Sequence, residues 1–220
     1  FAMVVSEFGP HAPDTFVLYR GNPNLAREKV EPAFLSILGG GTATVPSPAP
    51  GAKTAGRRLA LADWIASPQN SMTSRVMVNR LWQHHFGRGI VRSPNNFGQL
   101  GDLPTHPELL DWLAAEFINQ GWHIKSMHKL IMLSSTYRMS SRPEADALAK
   151  DPANDLYTRF DMRRLGAEEI RDSIFAVNGL LNLKMYGPGF YPEISAEILA
   201  GQSAPGSGWG KSSLEEQARR

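Results

Sequence analysis

Cysteine is absent from the 220 residues. That excludes disulfides, thiolate nucleophiles, cysteine zinc sites and covalent haem attachment within this stretch. It leaves the compartment open, because exported proteins of this size also fold without disulfides. Long apolar runs are missing as well. None approaches the roughly 18–20 residues that a membrane helix needs, and no signal-peptide pattern stands at Phe1. Neither sign of charge is in excess, with 23 Lys+Arg against 21 Asp+Glu, so nothing marks a generic polyanion binder. Gly39-Gly40-Gly41 lacks the Lys-Ser/Thr and helix of a phosphate loop. Gly206-Ser207-Gly208, the nearest approach to a nucleophile elbow, does not match one. No internal repeat is found.

What is present is an ordinary globular composition, 42% hydrophobic. The basic residues are mostly arginine and they cluster: Arg57-Arg58, then Arg75, Arg80, Arg88 and Arg92, then Arg159, Arg163 and Arg164. A guanidinium is a planar five-donor fork, suited to carboxylates, phosphates and carbonyls, and these arginines are expected to clamp loops.

Along the chain, Thr15–Tyr19 is a short β-prone run followed by a turn cluster, and Phe34–Leu38 is a second apolar piece. Residues 39–56 are rich in Gly, Ala, Thr, Ser and Pro and read as a linker. Residues 1–56 therefore form a strand-like tail and linker. Residues 57–181 form a helical body, and 182–220 a Gly/Pro/Ser-rich exit. The body is expected to hold about five helices. The first carries Leu61, Trp64 and Ile65 on its buried face and ends before Ser67-Pro68. The second runs from about Met72 to Phe86, burying Val78, Leu81 and Trp82 with His85 alongside, and stops at Gly87. The third is capped by Thr105 with Glu108 and has Pro107 in its first turn; Leu110, Leu113, Ala114 and Phe117 form its stripe. The fourth spans about Lys125–Tyr137, and the fifth about Gly166–Leu181 with Ile170, Ile174, Val177 and Leu181 in register. Near the end, Ser212-Ser213-Leu214-Glu215 reads as a capping box opening a helix that stops at Arg220 after about two turns. So short a helix is marginal alone. With a first residue other than Met, the chain reads as a segment of a longer protein. The fold class is thus mainly α: an irregular bundle with a short β-prone tail and long Gly/Pro-rich loops.

Two polar clusters stand out. The first is Asn79–Gly89 with Arg75 just before it; Arg75, Asn79 and Gln83 lie four apart and share a helix face. Arg80, Arg88, His84 and His85 belong to the same candidate pocket, which Asp102, His106 and Glu108 of the second cluster complete. Adjacent histidines point about 100° apart on a helix, which is not the i, i+4 arrangement of a zinc pair. In Gly101–Glu108, the side chains of Asp102, His106 and Glu108 are acid, base and metal-ligand types. The structural alternative has Asp102 closing a turn with its own backbone and Glu108 completing a cap. Five histidines fall between positions 84 and 128, including His123 and His128, but their spacing specifies no metal site. The segment 107–137, helix, Gly turn, helix, has a helix-turn-helix outline. Such pairs are the default of helical domains, so nucleic acid is not the expected partner.

The run Arg75-Val76-Met77-Val78-Asn79-Arg80-Leu81-Trp82-Gln83-His84-His85-Phe86-Gly87-Arg88-Gly89-Ile90-Val91 resembles the hallmark of a bacterial domain family of unknown function, the planctomycete secreted domain family. Asn95–Gly98, Pro104–Ala114, Gly121-Trp122, Ser135–Arg138, Arg163-Arg164-Leu165 and Ile170-Arg171-Asp172 match it further, as does the approach Val17–Asn22. Members often also carry a planctomycete-type cytochrome c domain. The resemblance implies a large exported parent, with this segment in its C-terminal half and any haem c outside it; no cofactor is expected here. It transfers no catalytic residue. The expected function is a binding or assembly module, its partners the other domains of the parent and a carbohydrate or protein, serving polymer breakdown or envelope redox. The alternative is a hydrolase-like or metal-dependent site made from His84 or His85, Asp102, His106 and Glu108.

Overall fold

The computed structural model describes residues 7, 9–201 and 209–220, so Phe1 and the Gly206-Ser207-Gly208 run lie outside the described residues. The fold is mainly helical with one small sheet. Strand β1 (Thr15–Leu18) pairs antiparallel with β2 (Ala26–Val30), Thr15 opposite Val30 and Leu18 opposite Ala26. The sequence reading found β1 and missed β2, whose Ala-Arg-Glu-Lys-Val offers little apolar alternation. Charge secures it instead, with the Lys29 ammonium 2.8 Å from Asp14 and 3.3 Å from Glu31. The second apolar piece is a single 3-10 turn, Ser36–Leu38.

Helix α1 (Arg57–Ile65) does not bury the expected face: Leu61 and Ile65 are 45% and 42% exposed. Trp64 stacks flat on Phe34 at 4.9 Å. Leu59, Ala60 and Asp63 of the helix share a cleft with linker residues between Thr44 and Gly56, and no α1 residue belongs to the core cluster.

Helix α2 (Ser71–Phe86) is the organising element. The Asn70 side chain caps it by accepting from the Met72 N–H at 3.3 Å, and Gly87, at φ 81°, ends it by donating to Gln83 O. Helix α3 (Pro107–Asn119) and helix α4 (Ile124–Leu133) both pack on α2, α3 more extensively. One core results: Val78, Leu81, Trp82 and Phe86 from α2; Ile90 and Val91 beyond it; Leu110, Leu113, Ala114 and Phe117 from α3; Met127 and Ile131 from α4. Each large member contributes roughly 1.5–3 kcal/mol of burial. Helix α4 ends sooner than expected because Ser134 leaves the helical region at ψ 150° and its hydroxyl donates to Ile131 O. A short helix α5 (Ala145–Lys150) follows.

The chain divides into two compact units, up to Asp161 and from Met162. The helix α6 (Ala167–Val177), grouped with the body in the sequence reading, falls in the second unit with α7 (Ala196–Ala200) and α8 (Leu214–Gln217). Helix α6 stops four residues short of Leu181, and its periodic apolar residues are exposed, Ile170 43%, Ile174 56% and Val177 87%. The second unit is tied instead by arginine. The Arg171 guanidinium lies over Phe175 and Phe190 and donates to the carbonyls of Gln217 and Arg219. Arg219 donates to Tyr186 O and Pro188 O. The capping box of α8 is Ser213 with Glu216, one residue beyond the expected Ser212 and Glu215.

Candidate functional site

The two polar clusters lie in the first unit, and local bonds hold most of their side chains. Asn79 is fully buried and works as a piece of backbone. Its Nδ2 donates to Val91 O at 3.0 Å and its Oδ1 accepts from Val91 N–H at 2.8 Å. Gly89 lies against that amide: a Cβ there would come within 2.6 Å of Asn79 Nδ2. Arg75 reaches α3, its Nε 2.7 Å from Asp111 Oδ1, and also donates to Ser71 O. That N–H holds the Asp111 carboxyl below the usual aspartate range. Arg80 donates to Asn95 Oδ1 at 2.5 Å. Arg88 donates to Asn154 O at 2.6 Å and to Asp161 Oδ2 at 3.3 Å. Gln83 is half-buried and its carbonyl accepts from Gly87.

The histidines part company. His84 is exposed. His85 is half-buried, with Nε2 2.8 Å from His128 Nδ1 and its ring edge-on to Tyr137. The two imidazoles thus join α2 to α4, a partnership that spacing alone did not single out. His106, not Thr105, occupies the N-cap position of α3. The Thr105 hydroxyl is drawn away to Ile90 O, and His106 Nδ1 sits 3.0 Å from that hydroxyl with its ring against Tyr157. Asp102 does not close a turn with its own backbone; its N–H donates to Ser93 Oγ at 2.7 Å. Asp102 and Glu108 are exposed. Among the described residues no group of three His, Asp or Glu side chains is arranged to hold a metal ion.

Beside these clusters lies a groove of about 620 Å³ that the sequence reading did not locate. Helices α3 and α4 form its walls with Leu109, Trp112, Leu113, Leu130, Ile131 and Leu133, and Trp82 of α2 joins the lining. Trp112 and Leu133 are 51% and 62% exposed. Its polar lining is Gln120, Ser126, Lys129, Ser134 and Thr136. On α3, Leu109 and Trp112 flank the buried Leu113, so the only signal in the sequence was two apolar residues widening the buried stripe.

The model of the PSD1 family, described as a protein of unknown function (DUF1553), matches residues 57–220, from the first residue of α1 onward. The chain belongs to that family. No curated protein and no solved structure gives a significant match.

Within the PSD1 domain, the loop after α5 is the feature that sequence reasoning passed over. Asp151 is buried and its two carboxylate oxygens accept from the N–H groups of Asp155 and Leu156, each at 2.8 Å. Asn154, 1% exposed, donates to Arg159 O. The cluster Asp151-Pro-Ala-Asn-Asp was a turn signal. The loop delivers Tyr157, whose hydroxyl accepts from Trp82 Nε1 at 2.8 Å. Burial pushes that hydroxyl's pKa up, while the Trp82 N–H and the charges of Arg88 and Arg92 pull the other way. The arginines of the PSD1 domain act as the expected clamps here: Arg88 and Arg92 grip the loop from outside, and Arg159 grips it from within.

Proposed function

We propose that this PSD1 domain is a binding module whose binding surface is the α3–α4 groove. One observation carries the reading. The one strongly polar residue of the hallmark segment that is fully buried, Asn79, serves the backbone, whereas the groove presents an exposed tryptophan and leucine beside a lining dominated by apolar side chains. A concave, mostly apolar site of this volume, with a few placed polar groups, is the general form of a ligand pocket. No helix is long and apolar enough to cross a membrane among the described residues.

The wider setting belongs to the same proposal: assembly with neighbouring domains of a large exported bacterial protein, with any haem c carried outside these residues. The long Arg75–Val91 motif supports it, and the absence of cysteine agrees with haem attachment lying elsewhere. Secretion of the full-length gene product, with a Soret band lost on deletion of a haem domain, is the expected result; retention in the cytoplasm removes this part.

Amide spectra recorded with the neutral probe N-phenyl-1-naphthylamine test the groove. Shifts are expected for residues between Leu109 and Thr136, and the double substitution Trp112→Ser, Leu133→Ser is expected to abolish them. Shifts centred on Asp102, His106 and Glu108 instead would favour a catalytic site there.

A further inference from the structure

We infer that the ligand of the α3–α4 groove is an amphiphilic organic anion that also carries a hydrogen-bond donor; this rests on the groove being the binding surface. Two observations beyond its apolar lining point to that chemistry. The first is charge. Lys129 is the one charged side chain lining the groove, and it forms no ion pair among the described residues. Of the neighbouring carboxylates of α3, Asp111 is paired with Arg75, while Glu116, which is not among the lining residues, accepts from the neutral Gln120 amide. An apolar groove with one uncommitted ammonium favours a ligand with a negative head.

The second is a missing bond. The side chain of Gln120, at the C-cap of α3, donates through Nε2 to Glu116 Oε1 at 2.5 Å. Its Oε1 is buried and has no hydrogen-bond partner among the described residues. Turning the amide over would aim that oxygen at the Glu116 carboxylate, so the acceptor stays unmet within a residue that lines the groove. A buried acceptor left unmade is costly, and a small turn of the side chain into the groove lets a ligand N–H or O–H relieve it. A partner helix has its backbone donors already satisfied, which favours a small molecule over a helix here. Along α3, Leu109 to Gln120 spans ~16 Å, enough for a medium-length acyl chain or a fused aryl body.

The test is calorimetric titration of the whole chain with four dodecyl probes below their micelle concentrations: dodecanoate, N-dodecanoylglycine, dodecanol and dodecyltrimethylammonium. The anions should bind more tightly than the alcohol, and the cation least. Lys129→Met keeps the apolar stem and should weaken the anions by up to about fivefold while leaving dodecanol unchanged. N-dodecanoylglycine, which adds an amide N–H, should bind more tightly than dodecanoate, and Gln120→Leu should erase that difference. Lys129 is exposed and Gln120 half-buried, and unchanged melting curves will show that both variants fold. Equal binding of all heads, unaltered in Lys129→Met, overturns the anionic assignment and leaves the groove as a binding surface. Binding of an acidic amphipathic peptide but of no dodecyl probe overturns the small-molecule assignment. Binding of no probe and no peptide overturns both readings.

Discussion

At the scale of the residue, Asn79 shows what the hallmark motif is for. Its amide is spent on both polar groups of Val91, so Asn79→Ala leaves a buried N–H and a buried C=O without partners. The expected loss is about 2–4 kcal/mol, read as a lower urea midpoint with an unchanged slope. Gly101 is fixed by space: a Cβ would sit 2.0 Å from Asn96 O, so Gly101→Ala must shift the loop. A fall in melting temperature of several degrees is expected; no change would contradict the loop placement. Asp111 carries a pH signature. Its folded pKa lies below the unfolded value, so its contribution is present above about pH 4 and is lost as pH falls through the lowered value. Asp111 is more than half exposed, which limits the effect. Asp111→Asn should cost under ~1 kcal/mol at pH 7 and less at acid pH, by denaturant titration at both.

At the scale of the element, α2 gathers the fold, and Trp82 is its central contact. It is 4% exposed, stacks on Phe86 and donates to Tyr157. Trp82→Ala should cost ~3–5 kcal/mol, whereas Trp82→Phe, which loses the donor but keeps most of the ring, should cost clearly less in parallel thermal melts. Helices α2 and α3 were legible because their signals are local: an apolar stripe, a proline in the first turn, a glycine at the end. What was not legible depended on distant partners. Thr105 reads as a cap until Ile90 O takes its hydroxyl, fifteen positions away. His85 reads as one of five histidines until α4 brings His128 to it. The stripe of α6 is periodic, yet periodicity records a capacity to be covered and not a cover; its isoleucines stand exposed in their own unit. The groove escaped for a related reason, since a wall is defined only when a second wall stands opposite.

At the scale of the whole molecule, every member of the principal core cluster lies before Asp161. A fragment ending at Asp161 should therefore retain the near-ultraviolet signal of packed Trp82 and melt cooperatively, as circular dichroism would register; a featureless spectrum would mean that the core does not stand alone. The pairing of Asn79 with Val91 has a consequence for motion as well. Val91 belongs to no helix or strand, and its amide would ordinarily be among the first to trade its proton with solvent. Here the proton is locked inside the core by a side chain whose own helix must come apart to release it. In a hydrogen-exchange experiment this loop amide should keep time with the slowest amides of α2, a clock for opening of the entire unit set into an apparently irregular turn of chain.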